Sequence, residues 1–561
     1  MRSFVQAVAA VCAALFCSGA AAPQRIEYTL TPILEGGALA AVQFDLRFRG
    51  EADGETALRL PGSWGGQNEL WKAIVGLTVV SGAQIRDGEG PSQRVLTHRP
   101  NARIHVRYRI IQDWEGVPRA ELGNTYRPVV QPNYFHFIGE GVFVAPADGD
   151  HSWPVRVRVR RLPRGWSYAS DLEHGALTID RLWSSVLVAG DFRVLRDPRT
   201  DVRVAVRGAW SFTDADFINE VSHIIGSQRE FWSDQQSPYL VTVLHLDGPE
   251  GWISVGGTGL GDAFAFFATP NGQADTITRT LAHESLHAWL PAEIGGMPRE
   301  GEAIDYWLSE GFTDFYTARL LVRDGIWTPA QFAADLNAML RAYAQSPVRA
   351  EPNTRILTDF WNDRDVHQLP YQRGRLLAMM WDGRLRAQNR SFDDLIQEMR
   401  ARAQAGDDSI AAALLPDAAA AVGLDPGAEL AANVEAGAPV LLPQDLLAPC
   451  GRISTREVAN FHRGFDIEAT QANGNVIAGV DPDLPAYAAG MRDGMILIRR
   501  DAGEIGDSEQ QIAYVVRDGA AERTLRYMPR GRDGYTLEHF ALEEGLGGER
   551  LRQCIRVLGG P

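Results

Sequence analysis

His283-Glu284-Ser285-Leu286-His287 decides how this chain of 561 residues is to be read. On a helix, side chains four apart share a face, so His283 and His287 can grip one metal ion while Glu284 stands beside them as a base. Working outward, Asp275 or Thr276 can cap such a helix, because a side-chain oxygen there satisfies its free amides. Downstream, Trp307-Leu308-Ser309-Glu310-Gly311-Phe312-Thr313 offers Glu310 as a third ligand. Zinc in a hydrolytic site takes three protein ligands and keeps one position open. Asp314 follows Glu310 by one turn on the same face. It is either the carboxylate that orients a zinc histidine or a solvated helix carboxylate. The expectation is one Zn2+ per chain, with Glu284 as general base for a zinc-activated water.

A chain of this length exceeds one core, and its patterning indicates a multidomain α+β protein. From about Arg25 the sequence alternates: Val42, Phe44, Leu46 and Phe48 interleave with polar residues, as do Ile104, Val106, Tyr108 and Ile110. Residues 23–200 therefore read as an N-terminal β-sandwich with one wet face. The period then becomes helical at Phe217, Val221, Ile224 and Ile225, with strands near 240–246 and 263–267. After Glu310 the chain reads as helical to about Gly437, with Ser391 as a helix cap. Residues 201–445 form the metal-bearing domain, and Pro, Gly and Ala between 426 and 449 mark its end. Residues 450–561 return to strands.

Arg2, an apolar run over residues 4–16 and small residues up to Ala22 compose a Sec signal peptide over 1–22, which places the mature chain in a periplasm or outside the cell. No later segment reaches the ~20 apolar residues that a membrane span needs. Once the leader is removed, Cys450 and Cys554 are the cysteines that remain. They bracket the last domain, either as a disulfide clasp or as two free thiols. A net charge of -16 without a basic run argues against nucleic acid as a partner.

With these residues assembled, the chain resembles the glycyl aminopeptidase family of zinc peptidases, relatives of thermolysin in which a His-Glu-x-x-His helix is followed by Trp-x-x-Glu-Gly-Phe-Thr. The resemblance implies a thermolysin-like, mostly helical zinc peptidase domain between an N-terminal β domain and a C-terminal PDZ-like domain. Residues 476–497 resemble the second half of a PDZ domain, and His462-Arg463-Gly464-Phe465 is the candidate loop for a peptide's C-terminal carboxylate. The alternative is a domain that only packs against the enzyme. Tyr371-Gln372-Arg373-Gly374 is similar to the family's Tyr-x-Lys-Gly, which implies that Tyr371 stabilises an oxyanion. On its own, Tyr371 reads as an aromatic at a helix start.

The family's Gly-Gly-Leu-Glu-His segment implies substrate binding at Gly256 and Gly257, but here the stretch runs Gly256-Gly257-Thr258-Gly259-Leu260-Gly261-Asp262. The carboxylate that would bind a free amino group is missing, and Asp262 is shifted from its place. The expected substrate is a peptide or protein, with specificity for a free N-terminus left open. The alternative is an inactive scaffold that binds peptides through its PDZ-like domain, and retention of His, Glu, His, Glu and Tyr together opposes it.

Overall fold

The computed structural model describes residues 25–120, 124–147, 153–234, 238–248, 253–272, 274–298, 300–406 and 409–561. The expected leader, residues 1–22, lies outside the described residues.

The N-terminal region begins with a five-stranded sheet ordered Val155–Val159, Ile26–Glu35, Ala38–Arg49, Arg103–Ile110 and Ile74–Val79. Along Arg103–Ile110 the side chains of Ile104, Val106, Tyr108 and Ile110 are buried while Arg103, Arg107 and Arg109 face out, the period-two signature of one packed face. Phe44 and Tyr108 pack onto Phe137 and Leu187 of a four-stranded sheet, Ser167–Ser170, Val186–Gly190, Tyr134–Ile138 and Val129–Gln131.

This second sheet departs from the expected sandwich, because both Tyr134–Ile138 and Val186–Gly190 are buried at every residue. Its far face meets the next unit, where Ile138, Val186 and Val188 pack on Leu240, Leu244, Ala265 and Phe267. The wet face predicted for the sandwich is therefore an interdomain layer. The two regions share a core there, and the change of sheet falls between Gly190 and Arg193, so the strand Arg193–Asp197, expected in the sandwich, belongs to the next sheet.

The next sheet runs Arg193–Asp197, Val202–Val206, Tyr239–His245, Ala263–Ala268 and Val255–Leu260. Its three central strands are parallel and both edges antiparallel. The helix Asp214–Trp232, capped by Thr213, makes the crossover that a parallel pair requires. Val255–Leu260 is an edge strand, and beside it lies the metal helix, Ala274–Leu286. Asp275 and Thr276 fall inside the first turn of that helix, so neither is its cap. Asp275 still complements the helix dipole, and its carboxylate accepts from Gln331 Nε2 at 3.1 Å.

Two further helices, Tyr306–Arg323 and Arg364–Arg386, cross backbone to backbone. A Cβ on Gly374 would lie 1.7 Å from the Trp307 carbonyl oxygen, and one on Gly311 would lie 2.3 Å from Gly374 Cα. Glycine inside a helix costs about 1 kcal/mol relative to alanine. Here it permits the approach that carries Glu310 and Tyr371, neighbours of these two glycines, to one site.

In the last region, strands Gly451–Phe461 and Arg530–Leu542 pair. A three-stranded sheet follows, with a core around Phe465, Ile477, Met491 and Tyr514. The region docks on helix Pro329–Gln345, where the Asn337 amide bonds both the N–H and the C=O of Phe540, at 2.8 and 2.9 Å. The terminal helix Gly548–Gly559 returns to Tyr306–Arg323, and Arg323 Nε donates to the Gly559 carbonyl at 2.6 Å. Cys450 and Cys554 are joined in a disulfide. Both belong to the core of the helical domain, together with Ile453, Phe540 and Leu558.

The bridge closes a sequence separation of 104 residues. In the chain-entropy account such a closure restricts the unfolded ensemble strongly, and loss of a bridge costs about 2–5 kcal/mol. The Cys450→Ser, Cys554→Ser double variant is expected to lose stability in that range in a denaturant titration. A midpoint equal to that of the parent would contradict it.

Candidate active site

The metal helix ends at Leu286, and His287 follows on a tight turn in which its N–H donates to the Glu284 carbonyl at 3.3 Å. The two imidazoles still face one point, with ring centroids 5.0 Å apart. His283 Nε2 lies 3.2 Å and His287 Nε2 3.4 Å from the same Glu310 oxygen, Oε2. One ligand atom from each of the three residues lies within 4.8 Å of the others. Around zinc, with bonds near 2.0–2.1 Å, two tetrahedral ligand atoms stand about 3.3 Å apart. The spacings to Glu310 are thus those of a tetrahedral edge, and the three side chains fit one small divalent cation.

The remaining ring nitrogens have acceptors of their own. His283 Nδ1 is 2.8 Å from Asp314 Oδ1, and His287 Nδ1 is 3.1 Å from the Leu290 carbonyl oxygen. Such bonds fix the tautomer that leaves Nε2 free for a metal. Asp314 is buried, which removes the reading of a solvated carboxylate. Its other oxygen accepts from Arg279 Nη2 at 2.7 Å, while Arg279 Nε donates to Asp335 at 2.8 Å and Arg375 pairs with Asp335 at 2.6 Å. Alternating charges therefore run from the metal pocket into the helical core.

Burial opposes charge throughout the pocket, and the pairings outweigh it. The Asp314 carboxyl is held well below the carboxylate range by Arg279 and His283 despite desolvation. The His283 ring is pushed up to about 10, against its burial, by hydrogen bonds to Asp314 and Glu310. A field that favours a proton there also favours a metal cation. Asp314→Asn is expected to weaken metal binding about 10–100-fold, the usual cost of losing such a partner. A competing-chelator titration reads it, and unchanged affinity would contradict it.

Glu284 behaves differently: burial raises its pKa from the ordinary value, against the pull of His283 and His287. Its carboxylate accepts from the Gly259 N–H at 3.1 Å, which ties it to the edge strand. Counted from Gly256-Gly257, Gly259 stands where the family pattern has its glutamate. A Cβ at 259 would lie 2.7 Å from the Glu284 carbonyl oxygen and 3.2 Å from His287 Cβ, so strand and helix touch too closely for a side chain. Space remains around a Cβ at Gly256, whereas one at Gly257 would meet the Phe264 ring at 2.4 Å. Asp262 sits in the hairpin turn with its carboxylate paired to Arg181, so it does not replace the missing group.

Tyr371 lies inside the helix Arg364–Arg386, two turns from its start. Its ring is stacked at 5.8 Å from His283 and tilted at 5.7 Å from His367. Burial and the carboxylates of Glu310 and Glu284 push its hydroxyl pKa well up, so it remains an O–H donor. Arg373, where the family has lysine, points elsewhere: it donates to the Arg349 and Glu351 carbonyls at 3.2 and 2.6 Å and to Asn353. The aromatic contacts continue from His367 to Phe360, tilted at 4.4 Å, and edge-on to Trp361, a residue that is 65% exposed.

The loop expected to take a peptide's carboxylate has its own backbone groups engaged. The Gly464 N–H donates to His462 Nδ1 at 2.9 Å, its carbonyl accepts from Asp481 at 3.0 Å, and Phe465 is buried in the local core. Among the described residues no helix is long and apolar enough to cross a membrane.

Residues 276–362 match the model of the M61 glycyl aminopeptidase family. That stretch holds both histidines, Glu284, Glu310 and Asp314 and stops before Tyr371. Among solved structures, an aminopeptidase N family protein from Idiomarina loihiensis is similar over 94% of this chain and 100% of its own, with 16% identity and a TM-score of 0.66. An M1 zinc metallopeptidase from Deinococcus radiodurans aligns over 75% of this chain and 95% of its own, with 17% identity and a TM-score of 0.45. No curated protein matches the chain. The chain is a peptide hydrolase. The first of these likenesses is one of fold, and it extends across all the regions described above.

The sequence pointed to His283, His287 and Glu310, which the fold brings within reach of one ion. It did not point to the contact of Gly259 with Glu284 or to Tyr126, whose hydroxyl reaches Gly257 from the N-terminal region. Contacts so distant in sequence leave no periodic signal.

Proposed function

We propose that the protein is an exported zinc peptidase that holds one Zn2+ on His283, His287 and Glu310 and cleaves peptide bonds without requiring a free N-terminus. Zinc bound there supplies Lewis acidity, which polarises a carbonyl and lowers the pKa of water. Glu284 takes the proton of the attacking water and delivers it to the leaving nitrogen, a role suited to a carboxyl whose pKa is lifted by burial. Tyr371 directs its O–H at the carbonyl oxygen of the scissile bond as negative charge develops there. Asp314 keeps the His283 ring in register. The edge strand offers backbone groups against which an extended peptide can lie.

The observation that carries the substrate reading is the closeness of Gly259 to the metal helix, 2.7 Å from an added Cβ to the Glu284 carbonyl oxygen. A site that rejects the wrong substrate strongly does so through a buried polar partner, and the partner for an α-ammonium is absent from this strand position. Peptide pairs with free and acetylated N-termini are expected to have kcat/KM values within about threefold of each other. A preference for free amines above about tenfold would overturn this reading.

Export is supported by the pattern of residues 1–22 and by the Cys450–Cys554 disulfide, a bond that persists in oxidising compartments. For residues 450–561 we favour a packing role over capture of peptide ends, because the Gly464 amide is already taken by His462 and the region is fastened through Asn337 and Arg341.

A further inference from the structure

From the N-terminal region the side chain of Tyr126 reaches the edge strand beside the metal helix. The Tyr126 hydroxyl donates to the Gly257 carbonyl at 2.7 Å. Its ring is held edge-on by Trp64 at 5.5 Å and Phe267 at 5.7 Å. Gly65, at φ +56°, lies against the same ring, where an added Cβ would meet it at 3.0 Å. The loop at residues 64–65 and the two strands that carry Gly257 and Phe267 thus fix one phenol on the sheet edge.

The ladder shows which way that carbonyl faces. The Asp262 and Ala268 carbonyls accept from Leu240 and Leu246, at 3.0 and 2.8 Å, so the even-numbered residues of that strand turn toward the centre of the sheet. Thr269 N–H donates to the Ser254 carbonyl at 2.9 Å, so the odd-numbered residues bond the even-numbered ones of the edge strand. Backbone groups of residues 255, 257 and 259 therefore point away from the sheet, toward the cleft. The Gly259 N–H holds Glu284. Gly257 lies two residues along the same edge, about 7 Å away. A peptide paired with this edge and presenting its scissile bond to Glu284 reaches Gly257 within one pairing repeat.

Resting on the peptidase reading, we propose that Tyr126 is a specificity-determining residue: its hydroxyl caps the Gly257 carbonyl, ends strand pairing one step from the general base, and so biases the cleft toward short peptides. The phenol cannot swing aside without leaving its packing against Trp64, Phe267 and Gly65. A longer peptide must forgo the hydrogen bond that the bare carbonyl would accept.

The test compares the zinc-loaded wild type with Tyr126→Phe, which keeps the ring and removes the hydroxyl. The probes are a short acetylated peptide that the wild type cleaves and the same peptide extended by alanines at both ends. The ratio of KM for the short peptide to KM for the long one is expected to rise about fivefold in the variant, the worth of one hydrogen bond. The kcat ratio of the two peptides stays as in the wild type. Calorimetric binding of both peptides in a Glu284→Gln background reads the same preference without turnover. An unchanged ratio would overturn the proposal, and so would an equal loss of kcat on both peptides, the result of a displaced Glu284. If the wild type cleaves no peptide, the peptidase reading fails and this proposal falls with it.

Discussion

Replacing Glu284 by glutamine is expected to lower kcat about a thousandfold while one metal ion per chain is retained. Glutamine matches the shape of glutamate and can still accept the Gly259 N–H that positions the side chain at 3.1 Å. It cannot take a proton from water or return one to the leaving nitrogen, and a positioned acid–base group contributes about 10²–10⁴-fold. The metal should stay, because the three ligand side chains and the anchoring of His283 on Asp314 do not involve Glu284. Metal analysis beside single-turnover kinetics separates the two effects. A metal-loaded variant that keeps a tenth of the activity or more would remove Glu284 as the base.

Tyr371→Phe is expected to cost about 10²–10³ in kcat, the range for loss of one donor to a developing oxyanion, with a much smaller change in KM. Phenylalanine keeps the ring contacts with His283 and His367, so metal affinity and stability should change little. A donor that acts chiefly in the transition state lowers kcat and kcat/KM together. A variant that raised KM alone would make Tyr371 a binding residue, and one with wild-type kinetics would leave the oxyanion without its assigned donor.

The metal pocket was legible because its signals are local. His283 and His287 are four apart, as are Glu310 and Asp314; the second spacing is one turn inside a helix, and the first spans the helix end and the turn that follows it. The burial of Asp314 was not legible, since it depends on Arg279, Asp335 and Arg375 converging from three helices. Tyr371 misled as a helix start because Pro370 precedes it and proline favours the first turn. Asp363 caps the helix earlier by accepting from the Asp365 and Val366 amides, and the proline is carried inside. The interdomain layer did carry a signal: Val186-Leu187-Val188-Ala189 is continuously apolar where Arg103–Ile110 alternates, and a continuous run marks a strand buried on both faces. Gly259 and Gly374 look like ordinary glycines in sequence. Their meaning lies in what an added Cβ would strike, which only the fold shows.

In the proposed function, peptide cleavage depends on one zinc ion held by His283, His287 and Glu310. Metal-free protein titrated with Zn2+, with hydrolysis of an acetylated peptide library followed at each addition, tests it most directly. Activity that rises in proportion to added zinc and levels off at one equivalent is the predicted result. Full activity before any metal is added, or none with one equivalent bound, would contradict it.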